Sequence, residues 1–205
     1  MSVSGGKPLL GLEISAIDEP KRSRLADASV ETLMELYVDG SADAFDELYR
    51  RVSPKLFGYL LRLTRQRERA EDLLQITFAK VHRARGSYLR GAPLLPWLLA
   101  IARRSFLDER RAAKSRSEDL SFDGNLPEPP RDESGLPADL SDALERALDG
   151  LPEAYREAIQ LTKITGLSMA EAADVLGTTA TAVKLRVHRG YNLLRQRLDA
   201  YDRSA

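Results

Sequence analysis

Between Thr178 and Leu198 the chain carries five basic residues and no acidic ones, and the cations recur at the spacing of one helix face. Lys184, Leu185, Arg186, His188, Arg189, Asn192 and Arg195 make up that face, opposite an apolar side of Ala180, Val183, Val187, Tyr191, Leu194 and Leu198. Such a helix suits nucleic acid. Lys184, His188 and Arg189 are placed to reach base edges, Arg186 and Arg195 to meet phosphates, and Leu185 to touch a thymine methyl. Just upstream, Ser168 and Glu171 have capping-box spacing, Met169, Ala172, Ala173 and Leu176 form one apolar stripe, and Gly177 supplies a tight turn. With Thr178 or Thr179 as the next cap, this is a helix-turn-helix whose second helix fits a major groove. An ordinary amphipathic hairpin with a solvated basic face is the alternative, and His188 can be a plain surface residue.

A second set of cations lies near the middle of the chain. Arg103, Arg104, Arg110 and Arg111 follow one another at helical spacing around Leu107, which predicts a shared flank suited to a phosphate backbone. Ahead of them, Ser87-Tyr88-Leu89-Arg90-Gly91 offers a ring that can stack on an unpaired base and a cation beside it. Farther upstream, Glu71, Asp72, Gln75 and Lys80 lie away from the apolar Leu73, Leu74, Phe78 and Val81, as a protein-docking face or a hydrated one.

The elements that carry these residues are helical throughout. The expected fold is all-α: two small helical domains joined by a flexible acidic linker. Residues 1–28 form an extension, 29–116 a first helical domain, 117–137 a proline-rich acidic tether, 138–200 a second domain and 201–205 a tail. In the first domain the spacing predicts a helix from Ser29, ended by Asp39 and Gly40, and a second capped by Ser41. Pro54 is expected to kink or restart that second helix at Ser53. A third helix covers about Glu68 to Arg85, a loop spans Ser87 to Pro96, and a fourth helix runs from about Trp97 to Lys114.

The chain has 205 residues, 31 Lys plus Arg and 31 Asp plus Glu, so its formal charge is zero. That neutrality is a cancellation. Residues 41–116 carry 17 basic and 8 acidic side chains, whereas 117–150 carry 2 and 10. With no cysteine and two histidines, neither a disulfide framework nor a thiolate metal site is available, and no cofactor is expected. There is no Gly-rich phosphate loop and no nucleophile with a base at a recognisable spacing, so the reading is not an enzyme. No apolar run approaches the roughly 18 to 20 residues of a membrane span, and the expected location is cytoplasmic.

The strings themselves resemble a known family. Ala70-Glu71-Asp72-Leu73-Leu74-Gln75-Ile76-Thr77-Phe78 and Trp97-Leu98-Leu99-Ala100-Ile101-Ala102-Arg103-Arg104, with Asp108 and Arg111, look like region 2 of the extracytoplasmic-function sigma factors. Leu151-Pro152-Glu153-Ala154-Tyr155-Arg156, Gly166-Leu167-Ser168, Leu176-Gly177 and Val183-Lys184-Leu185-Arg186-Val187-His188-Arg189 look like region 4. The resemblance implies an RNA polymerase specificity subunit. Asp72, Gln75 and Ile76 would dock on the clamp of the largest polymerase subunit. Tyr88, Arg90, Arg103, Arg104, Arg110 and Arg111 would bind the minus-10 element and hold its strands apart. Region 4 would dock on the flap of the second-largest subunit and present Thr179, Lys184, Leu185, Arg186, His188, Arg189 and Arg195 to the minus-35 element. An anti-sigma protein, often membrane-linked, is implied as a further partner, and a stand-alone helix-turn-helix regulator is the alternative. Gln66 replaces a frequent Asp ahead of the docking helix, which predicts a weaker cap. Arg104 replaces a frequent Asn and Leu185 a frequent Ser, so the promoter sequence is not carried over.

Overall fold

A computed structural model describes residues 24–117 and 146–202, and among them it is helical without a strand. Helix α1 is Val30–Val38, α2 Ala42–Thr64, α3 Arg67–Ala84 and α4 Leu94–Ser117. After the undescribed segment come α5 at Glu153–Ile159, α6 at Met169–Leu176 and α7 at Ala180–Asp202. The acidic tether expected at 117–137 and most of the extension expected at 1–28 lie outside the described residues. Residues 24–28 do not: Leu25 is buried, and Arg51 donates to the carbonyls of Leu25 at 2.8 Å and Ala28 at 2.6 Å.

Helix starts follow local chemistry. Ser29 accepts from the Thr32 N–H at 3.1 Å, and Ser41 from that of Ala44 at 3.3 Å. Helix α2 corrects one of the two alternatives at Pro54: it runs through the proline and does not restart at Ser53. Pro54 faces solvent, and Leu48, Val52, Leu56 and Tyr59 stay in phase on the buried side across it. Burial of that stripe outweighs the hydrogen bond the proline removes. Helix α4 begins at Leu94, three residues before the expected start, with Pro96 in its first turn. There a missing N–H leaves no partner wanting. Gln66 precedes α3 with no side-chain cap bond, as its side chain predicts.

The two lobes are not separate. One apolar core runs from Leu33, Leu56, Leu73 and Leu98 of the first into Leu161, Leu167, Ala172, Leu176 and Val187 of the second. Helix α4 lies against α6, so each lobe covers part of the other. A smaller cluster of Ala147, Leu151, Ile159 and Leu194 closes the far side.

Candidate nucleic-acid interface and lobe junction

Helix α6 opens with the capping box: the Glu171 N–H donates to Ser168 Oγ at 3.2 Å and the Ser168 N–H to Glu171 Oε2 at 2.8 Å. Hydrogen bonding from Ser168, its side chain first and then its backbone N–H, holds the Glu171 carboxyl below its usual range. Gly177 then takes a φ of +62°, and Thr179 Oγ1 accepts from the Ala182 N–H at 3.2 Å to start α7. The turn is therefore fixed at both ends. Helix α7 seats on Val183, Val187, Gly190 and Leu194, all buried. At Gly190 a Cβ would come within 2.7 Å of Ile159 Cδ1, so a larger residue there would have to push the Ile159 side-chain tip aside to keep this closeness to α5.

That contact sets the orientation of everything else on α7. Thr179, Lys184, Leu185, His188, Arg189 and Arg195 are exposed and Arg186 is half-buried. Asn192 Nδ2 lies 3.3 Å from His188 Nε2. Tyr191, expected in the core, is instead 42% exposed, and its neighbour Gly190 is the residue buried against α5.

The central arginines do not share one flank. A rotation of about 100° per residue separates Arg103 and Arg110 from Arg104 and Arg111. Arg104 is exposed, and Arg111, also exposed, pairs with Asp108 at 2.8 Å. Arg103 and Arg110 point at the second lobe. Arg103 Nε donates to Glu157 Oε1 at 2.8 Å and its Nη2 to Oε2 at 3.3 Å, while Arg110 pairs with Glu153. The Tyr59 hydroxyl donates to the same Glu157 Oε1 at 2.8 Å. Burial, then the negative charge of Glu157, pushes that hydroxyl well above the usual phenol range. Burial works against the charge of Arg103, yet the Glu157 hydrogen bond and charge leave its pKa raised.

A third cross-lobe pair joins Arg65 to Asp149 at 2.7 Å. Arg65 ends α2 with a φ of 57°, alone among the described non-glycine residues in having a positive φ. Arg156 also leans on Asp149, donating to its carbonyl at 3.2 Å, and burial followed by the charge of Arg65 lowers its pKa. None of Tyr59, Arg65, Asp149, Glu153 and Glu157 was expected at a lobe junction, Glu153 entering only within a motif string. The available signal was the recurrence of acids at 149, 153 and 157, every fourth residue.

The loop before α4 also differs from expectation. Tyr88 is no open stacking platform: its side chain is buried beside Trp97, ring centroids 5.5 Å apart, and its hydroxyl donates to the Ala92 carbonyl at 2.5 Å. Burial and the nearby Glu31 and Glu35 raise its pKa. Arg90 is held by both oxygens of Asp39. The Gly91 N–H donates to Glu35 at 3.0 Å and the Leu94 N–H to Glu31 at 3.3 Å. What the loop projects is Leu89, 76% exposed. On α3, Asp72, Gln75 and Ile76 are exposed on one face, while Glu71 pairs with Arg67 at 2.9 Å and Lys80 with Asp108 at 3.2 Å.

Family models for Sigma-70 region 2 and Sigma-70, region 4 match residues 48–116 and 141–194. The RNA polymerase sigma factor CarQ of Myxococcus xanthus is 38% identical over 80% of this chain and 95% of its own length. The ECF RNA polymerase sigma factor SigE of Mycolicibacterium smegmatis is 34% identical over 88% of this chain and 69% of its own. Among solved structures, the sigma factor RpoE in complex with the anti-sigma factor NepR, from Bartonella quintana, is similar with a TM-score of 0.66 at 30% identity, covering 76% of this chain and 96% of that one. CnrH in complex with the cytosolic domain of CnrY is similar at 0.62 and 26% identity, covering 83% and 97%. No helix among the described residues is long and apolar enough to cross a membrane.

Proposed function

The chain belongs to the extracytoplasmic-function RNA polymerase sigma factors, and we propose that it assigns polymerase to promoters through three surfaces. The exposed face of α7 reads the minus-35 major groove: Lys184, His188 and Arg189 address base edges, Arg186 and Arg195 address phosphates, and Thr179 caps the helix end nearest the DNA. Asp72, Gln75 and Ile76 on α3 meet the clamp of the largest polymerase subunit, and the second lobe meets the flap of the second-largest. Arg104 and Arg111 face the minus-10 element directly, joined by Arg103 and Arg110. Leu89 is the apolar wedge at the strand-opening point, Arg90 steadies it, and Tyr88 braces the loop from inside.

The observation that carries this reading is the exposed surface of α7, acid-free from Ala180 to Leu198, behind a turn fixed by two caps and a glycine. A protein that opens DNA without ATP must bind the opened form better than the duplex. An exposed leucine between two base steps, as in proteins that kink DNA with apolar wedges, supplies part of that difference. The polymerase does the chemistry and the chain supplies placement, which puts it in the cytoplasm and outside the enzymes. RpoE is solved in complex with the anti-sigma factor NepR and CnrH with the cytosolic domain of CnrY, which supports a protein partner of anti-sigma type for this chain as well.

The test is reconstitution of the full chain with core polymerase and transcription from a promoter library. The expected result is co-migration with core and initiation at a subset sharing two upstream elements. Arg189→Ala should weaken promoter binding by about 1 to 3 kcal/mol and relax one base position. Sequence-specific binding by the chain alone as a dimer, without co-migration, would favour the stand-alone regulator.

A further inference from the structure

Asp149, Glu153 and Glu157 stand at every fourth residue, on one side of α5 and the turn before it. Each is paired with an arginine of the other lobe: Asp149 with Arg65, Glu153 with Arg110 and Glu157 with Arg103. The three arginines come from separate places, the end of α2 and two turns of α4. Their common property is membership of the segment with 17 basic and 8 acidic residues. Glu153 and Glu157, one turn apart on α5, and Asp149, ahead of the break at Gly150–Pro152, together present negative charge to the first lobe as phosphates would.

We propose that the Asp149–Glu153–Glu157 row is an internal occupant of the arginine surface the first lobe offers to DNA, so that closing the lobes and gripping the minus-10 region exclude one another. This rests on the reading of Arg103 and Arg110 as DNA contacts. The masking is selective. In the closed chain Lys184, His188, Arg189 and Arg195 remain exposed, as does Arg104, whereas the Arg103 side chain is only 24% exposed and its partner Glu157 only 9%. Closure therefore covers Arg103, engages the exposed Arg110 in an ion pair, and leaves the minus-35 face open.

The energetics allow exchange. A buried ion pair is offset by the desolvation of both its members, so parting the two sides into water or onto phosphates costs far less than removing one partner in place. DNA offers many phosphates and gains from counterion release, an advantage three carboxylates cannot match once polymerase holds the lobes apart. The apolar contact of α4 with α6 adds to closure, and a polymerase surface must replace it.

The chain has no cysteine, so dyes on cysteines introduced at the exposed Arg83 and Gln196 report the distance between lobes without background. The measurement pairs that energy transfer with the affinity of the free full chain for a fluorescent non-promoter duplex at fixed salt. Glu153→Gln with Glu157→Gln is expected to lower the transfer efficiency and tighten duplex binding by about tenfold. Glu153→Gln alone, at an exposed pair, leaves the core untouched and is expected to give a smaller change in the same direction. The swap Arg103→Glu with Glu157→Arg should restore high transfer and lose the duplex. Unchanged transfer and affinity in both Gln variants would overturn the proposal, as would lobes that part without tighter binding. The underlying DNA reading is checked separately in holoenzyme with Arg103→Ala and Arg110→Ala: promoter opening that stays normal there rejects those contacts, whatever the free chain does.

Discussion

Two acidic rows of the same spacing serve opposite ends in this molecule. Glu31, Glu35 and Asp39 run along α1 and its C-terminal cap, and they hold the Leu94 N–H, the Gly91 N–H and the Arg90 guanidinium. Asp149, Glu153 and Glu157 hold Arg65, Arg110 and Arg103 from across the lobe junction. The partners differ in kind. Two of the first row's three partners are backbone N–H groups inside a loop, which cannot be handed to DNA without unfolding it, so Glu31 and Glu35 are a permanent brace and only Asp39 holds a side chain. Guanidinium groups on side chains can leave one anion for another, so the second row is exchangeable. What decides is the donor, since the acids are alike.

The sharpest way to break this comparison is to remove the acid that lies deepest. Glu157→Ala leaves Tyr59 and Arg103 facing a gap without their shared acceptor, and urea unfolding should register a loss of about 3 kcal/mol or more. Glu35→Ala, whose partner is an exposed loop N–H, should cost about 1 kcal/mol. Equal losses would mean that both rows are structural in the same sense.

That contrast also marks what the sequence can show. The Ser168–Glu171 box, the Gly177 turn and the Thr179 cap were legible because each is settled within four residues. The restart offered at Ser53 does not occur, because the number of stripe residues holding the helix together on either side of Pro54 outweighs a rule about one. Tyr191 and Tyr88 were misassigned for a related reason. Whether an aromatic on an amphipathic helix is inside depends on how close the neighbour comes, and at α7 the close approach to Ile159 is at Gly190. The lobe junction was beyond reach. Tyr59 and Glu157 are 98 residues apart, and nothing local to either announces the other.

Alkaline titration separates the rows next. Tyr59 has its pKa raised well above 10.0, first by burial and then by Glu157, so folding favours its neutral form. The sign follows: that stabilisation is complete below the ordinary phenol value and is lost as pH rises through the folded one. Lobe closure, followed by energy transfer, should therefore weaken as pH climbs past about 10. Tyr88, beside the first row, is raised as well, by burial and then by Glu31 and Glu35. Its environment should change in the same direction, read by tyrosine absorbance. Loss of closure already at neutral pH would point away from Tyr59.

Within the first row the backbone matters more than any charge. Gly91 has a φ of +76° with open space where a Cβ would go, so Gly91→Ala meets strain and no clash. The expected cost is about 1 to 2 kcal/mol. If Leu89 is a wedge, the slackened loop should also slow promoter opening while core binding stays as it was. Permanganate reactivity of the opened strand measures the first and co-migration the second.

The smallest effect discriminates best. Arg90–Asp39 and Arg110–Glu153 are near twins in exposure, 55% and 55% against 55% and 48%. Exposed pairs of this sort contribute little to stability, so neither Asp39→Asn nor Glu153→Gln should move the urea midpoint resolvably. Their consequences for DNA should nevertheless diverge. After Asp39→Asn, Glu31 and Glu35 still hold the Leu94 and Gly91 N–H groups and the Glu35 charge still acts on Arg90, so the loop keeps its shape and affinity of the free chain for a non-promoter duplex should hardly change. After Glu153→Gln, Arg110 loses its anion in the closed chain and can take a phosphate instead, so the same affinity should rise and should fall more steeply with added salt. If both variants gain affinity alike, the gain is one unit of net charge and no more, and the second row loses its claim to be different from the first.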